Sequence, residues 1–121
     1  AQGAPVLRVG RLCTADGVPA IYCEDVVDKS LVRAAYTESD LKQPIFHFLQ
    51  EFCGVYPYLD LTDLRAAAAD EKLSRIFQVP AGTPLLQMDE VDYDIDGRPV
   101  FFSTQYFADG IFRHTVMRKK L

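Results

Sequence analysis

Two runs dense in Val, Tyr, Phe and Ile flank an Asp-Gly pair in "DEVDYDIDGRPVFFSTQYF", from Asp89 to Phe107. Glycine accepts the positive φ that a tight hairpin turn demands, and aromatic and β-branched residues suit pleated strands. The stretch reads as a β-hairpin. A second Asp-Gly pair, Asp16-Gly17, separates "PVLRVGRLC" from "PAIYCEDVV" and predicts another. Hairpins pair antiparallel, so a sheet that holds both is largely antiparallel.

Between the hairpins the pattern turns helical. Residues 29–40 are polar and begin with a short helix. Pro44 then stands at a helix N-terminus, Ile45, Phe46, Leu49, Phe52 and Cys53 recur at helical spacing, and Gly54 stops the run. A strand follows from about Tyr58 to Leu64. A helix from about Asp70 to Phe77 buries Leu73, Ile76 and Phe77, and "PAGTP" ends it. The alternation of Phe112, His114, Val116 and Arg118 predicts a last strand. The order β-β-α-β-α-β-β-β gives an α+β class: one largely antiparallel sheet with helices gathered on one side.

With 121 residues, 49% of them hydrophobic, the chain is one domain long and buries well over half of its unfolded surface. Its formal charge of -4, with basic residues scattered except at Arg118-Lys119-Lys120, offers no face for a phosphate backbone. Cys13, Cys23 and Cys53 are odd in number and lack C-x-x-C spacing, which predicts free, buried thiols in a reducing cytoplasm. No apolar run reaches the roughly 18 residues of a membrane helix, so a cytoplasmic domain without membrane contact is expected. His47 and His114 form no H-x-x-x-H or H-E-x-x-H pairing, and neither Ser103 nor Cys23 sits in a nucleophile signature. No metal, no cofactor and no catalytic residue is expected.

Three features carry polar chemistry. The acids Glu90, Asp92 and Asp94 share one face of a strand and read as a solvated edge, since they lack the order of a cation loop. Arg11 shares a strand face with Leu7, Val9 and Cys13, where its guanidinium either snorkels, pairs with an acid or meets an anion. Phe101, Ser103, Gln105 and Phe107 lie on one face of the quoted hairpin's second arm, a mixture that suits a ligand cavity or a wet sheet edge.

"RLCTADGVP" (Arg11 to Pro19), "IFHFLQEFCG" (Ile45 to Gly54), "AAADEKLSRIFQVPAGTPLLQMDEVDYDIDGRPV" (Ala67 to Val100) and "YFADGIFRHTVMR" (Tyr106 to Arg118) together resemble the UTRA domain. This is the effector-binding domain of the HutC subfamily of GntR bacterial transcription regulators, similar in fold to chorismate lyase. The resemblance covers nearly the whole chain and implies that residues 1–121 are one effector-binding and dimerisation domain. It also implies a homodimer, a small-molecule effector, and DNA contact only through an N-terminal winged-helix domain absent from this chain. A chorismate lyase-like enzyme, or a dimerisation module without a ligand, are the rival readings.

Departures from the family pattern narrow the effector. Members that resemble sugar-phosphate sensors carry R-x-R where this chain has Arg11 and Cys13, and S-L-Y where it has Pro44-Ile45-Phe46. Cys23 and Phe101 stand where those members carry acids. One arginine without hydroxyls compensates a phosphate dianion poorly, which disfavours a phosphosugar. The expected pocket joins Phe46, Phe101 and Phe107 to Arg11, Cys13, Cys23, Asp25, Ser103 and Gln105. It suits a nucleoside, a base, an amino-acid derivative or an aromatic carboxylate.

Overall fold

Asp16 and Gly17 both take positive φ, 50° and 78°, the pairing that lets a two-residue turn follow the strands' right-handed twist. They join β1 (Val6–Ala15) to β2 (Val18–Asp28). The computed structural model describes residues 3, 5–111 and 113–120. A 3-10 turn (Lys29–Leu31) and a short helix α1 (Glu38–Leu41) precede α2 (Ile45–Cys53), which ends on Gly54 in the left-handed region. After β3 (Leu59–Ala68), the Asp70 carboxylate accepts from the Leu73 N–H at 2.8 Å and caps α3 (Glu71–Phe77). β4 (Pro84–Tyr93) and β5 (Pro99–Ala108) complete the second hairpin. In its turn the Asp94 carboxylate accepts from the N–H groups of Asp96 and Arg98, each at 2.9 Å.

All five strands form one antiparallel sheet in the order β1-β2-β5-β4-β3. The antiparallel α+β architecture expected from the hairpins is present, but its helices are divided between the two faces. On the first face, Phe48, Leu49 and Cys53 of α2 bury against Val27, Val100 and Phe101. On the second, Leu73 and Phe77 of α3 bury against Leu85, with Tyr22 and Tyr106 packed beside them. Tyr22 and Tyr106 face each other in the ladder, one residue out of phase with the Phe101–Ser103–Gln105 set, so the two cores lie on opposite faces.

Three sequence expectations are corrected. Residues 113–120 are not a strand; Val116 is 74% and Met117 97% exposed, so alternation there has no surface to bury, and Phe112 falls outside the described residues. In α2 the buried aromatic is Phe48, while Phe46 is 46% exposed. The cysteines are free, yet Cys13 is exposed and Cys23 half-buried, leaving Cys53 alone fully buried.

Candidate functional site

Register arranges the first face of the sheet as a grid. One row reads Val9, Asp25, Ser103, Glu90, Thr62 across β1, β2, β5, β4 and β3. The next reads Arg11, Cys23, Gln105, Met88, Leu64, and the one beyond it Cys13, Ile21, Phe107, Leu86, Ala66. On the other side lie Phe101, Asp92 and Asp60. Eight of the nine residues expected at the site thus share this face, and Phe46 reaches it from α2, its ring edge-on to Phe101 at 5.9 Å.

One ion pair and a run of hydrogen bonds knit the polar members into a chain that crosses four strands. Arg11 Nε lies 3.4 Å from Asp25 Oδ2, and Arg11 Nη1 donates to the Gln43 carbonyl at 2.6 Å. Ser103 Oγ donates to Asp25 Oδ1 at 2.7 Å. Gln105 Nε2 donates to Ser103 Oγ at 3.3 Å and to Glu90 Oε1 at 2.9 Å. Burial raises the Asp25 carboxyl above its ordinary range, opposed by the Ser103 hydroxyl and the Arg11 charge. The same burial and the Asp25 charge push the Cys23 thiol up to about 12, so it stays protonated and is a poor nucleophile.

Two cavities flank the chain. One, about 540 Å³, opens between β1 and α1 and is lined by Arg11, Cys13, Glu38, Leu41 and Lys42 among others. The second, about 470 Å³, meets Leu64, Ala66, Leu86, Phe107 and His114. Phe107 and His114 stack edge-to-face at 4.6 Å. Phe101, expected on the pocket wall, is 2% exposed and belongs to the α2 core. Arg11 retains unused capacity: its Nη2 is buried without a hydrogen-bond partner, and its Nε meets Asp25 only as an ion pair.

The acids read as a solvated edge are the main surprise. β4 lies between β5 and β3 and is no edge; Asp92 is 2% exposed. Burial, then Glu90, then Asp60 push the Asp92 carboxyl up to about 8. Only the β3–β4 register, which sets Asp60 opposite Asp92, brings Asp60 into this group; no spacing in the sequence links the two.

The UTRA domain model matches residues 1–113. Among solved structures, the fold resembles a ligand-binding domain assigned to a GntR-family transcriptional regulator from Bordetella bronchiseptica, at 22% identity and a TM-score of 0.81. That match covers 93% of this chain and 73% of the other. It also resembles a GntR-family regulator from Enterococcus faecalis V583, at 21% identity and a TM-score of 0.83, covering 96% and 83%. The effector domain of PhnF from Mycobacterium smegmatis is similar at 20% identity and a TM-score of 0.81, covering 97% and 72%. No curated protein sequence matches the chain.

Proposed function

The chain belongs to the UTRA domain family, and from that premise we propose that it is the effector-sensing and dimerisation domain of a GntR-type regulator of the HutC subfamily. A small molecule binds the first face of the sheet and biases DNA contact by a winged-helix domain outside this chain. The effector must bind one arrangement of the dimer more tightly than the other, since equal affinity shifts nothing. The observation that carries this reading is Arg11, whose buried Nη2 has no hydrogen-bond partner beside a cavity of about 540 Å³. Buried donors are ordinarily satisfied, so an acceptor from a ligand completes the site.

A singly charged carboxylate fits that role better than a phosphate dianion, because Asp25 already takes part of the Arg11 charge. Aromatic, heterocyclic or amino-acid-derived carboxylates are the favoured effectors; Phe46 and Phe107 offer ring contacts, and Ser103, Gln105, Cys13 and Cys23 border the same face. Asp25 acts through Arg11 and Ser103, which it orients. Exposed Leu59, Leu61 and Leu64 on edge strand β3 support a homodimer, and a cytoplasmic setting follows from the regulatory role. Among the described residues no helix is long and apolar enough to cross a membrane.

Catalysis is the weaker reading. An elimination on a dianionic substrate wants several cations converging on it, and Arg11 is already engaged with Asp25. Calorimetric titration with nucleosides, bases, aromatic acids, amino-acid derivatives and phosphosugars tests the proposal. Saturable binding of a carboxylate without turnover is expected, weakened at least tenfold, or about 1.4 kcal/mol, by Arg11→Met. Turnover, or binding of phosphosugars alone, overturns it.

A further inference from the structure

At the far end of the same face, one carboxylate oxygen each from Asp60, Glu90 and Asp92 lies within 4.8 Å of the others. Clustered acids alone signify little, but two further observations single this group out. Asp92 is 2% exposed and its Oδ1 has no hydrogen-bond partner, a rare state for a buried oxygen. The other two carboxylates each accept a hydrogen bond from a neighbouring side chain. Thr62 Oγ1 donates to Asp60 Oδ1 at 2.7 Å, and Gln105 Nε2 donates to Glu90 Oε1 at 2.9 Å. Outer hydrogen bonds of this kind orient ligands around a metal ion.

We propose that Asp60, Glu90 and Asp92 form a binding site for a divalent, oxygen-preferring cation such as Ca²⁺ or Mn²⁺. Hard cations take carboxylate oxygens at about 2.3–2.6 Å, so donors as close together as these reach a common centre. Charge decides between a metal and an organic ammonium: even with Asp92 counted as neutral, Asp60 and Glu90 present two carboxylates, which a dication matches and a single positive charge does not. Asp60 is exposed and Glu90 half-buried, which leaves the ion a path to solvent and room for water ligands. The site lies across β3 and β4 while Arg11 lies on β1, and it touches the effector face through the Gln105–Glu90 hydrogen bond.

The 121-residue chain, stripped with EDTA, is titrated calorimetrically with CaCl₂, MnCl₂ and MgCl₂, and separately with methylammonium chloride. One saturable metal equivalent is expected, abolished by Asp92→Asn and weakened about tenfold by Thr62→Val. Asp60→Asn, at an exposed position, keeps the test valid if the Asp92 variant misfolds by circular dichroism; it too loses the ion. Mn²⁺ is expected to broaden the NMR signals of Thr62 and Gln105 before those of α3. No saturable metal binding up to about 10 mM, far above the affinities of ordinary protein sites, overturns the proposal. So does binding indifferent to both carboxylate variants, or a preference for methylammonium.

Discussion

Two ends of one sheet face solve the burial of acids in opposite ways. On the β1–β2 side, Asp25 is nearly sealed from water but receives the Arg11 guanidinium and the Ser103 hydroxyl. On the β4–β3 side, Asp92 is as deeply buried and meets two further carboxylates, Asp60 and Glu90, with one oxygen left over. Burial alone raises both carboxyls; what separates them is the company each keeps. The first end is a finished structural pair with spare donors on its cation. The second is a cluster of three carboxyls with one buried oxygen unpartnered, where we place a cation.

The most damaging way to break the contrast is to strip Asp25 of its cation. Arg11→Met leaves a buried carboxylate without its counter-charge, and a loss of about 3 kcal/mol in urea unfolding is expected. The opposite sign is expected at the other end, where Asp92→Asn removes a buried carboxyl whose ionisation nothing compensates. With its carboxyl pushed up to about 8, native Asp92 keeps a proton that the unfolded chain releases near its ordinary value of 3.8. Wild-type stability therefore falls as pH rises through that window. In EDTA at pH 8, Asp92→Asn is expected to be the more stable protein by more than about 1.4 kcal/mol, the worth of one pKa unit. Its advantage disappears about one pH unit below the ordinary value of 3.8, where both states of the wild type are largely protonated.

Smaller effects sharpen the comparison. Ser103→Ala removes one donor to a buried charged oxygen, and a cost of about 1.5 kcal/mol in the same unfolding measurement is expected. On the second face, the Lys72–Glu24 bridge is short at 2.6 Å but lies in solvent. Lys72→Ala is expected to change stability by less than about 1 kcal/mol, and to lose even that in high salt.

Much of the first end was legible from sequence because strand alternation has a period of two. Once Asp96-Gly97 fixed the turn, Phe101, Ser103, Gln105 and Phe107 had to share a face, and the ladder places them so. Arg11 fell in with them because the Asp16-Gly17 hairpin fixes β1 against β2. The second end was illegible because Asp60 and Asp92 meet only through the β3–β4 pairing, which no turn motif announces. The alternation of Glu90, Asp92 and Asp94 looked the same as that of a solvated edge. In α2, positions 45, 48, 49 and 52 make the helical stripe, so Phe48, not Phe46, was the aromatic to bury. The division of helices between faces depends on which side each crossing takes, information that hydrophobic period does not carry.

The most direct test of the proposed effector cleft is NMR mapping of amide shifts in the chain as an aromatic carboxylate that binds in calorimetry is added. The expected result is movement concentrated at Arg11, Cys23, Ser103 and Gln105, with Leu73 and Phe77 of α3 unmoved. Shifts centred on the α3 face, or confined to the exposed strand β3, would contradict the assignment of the first face as the sensing surface.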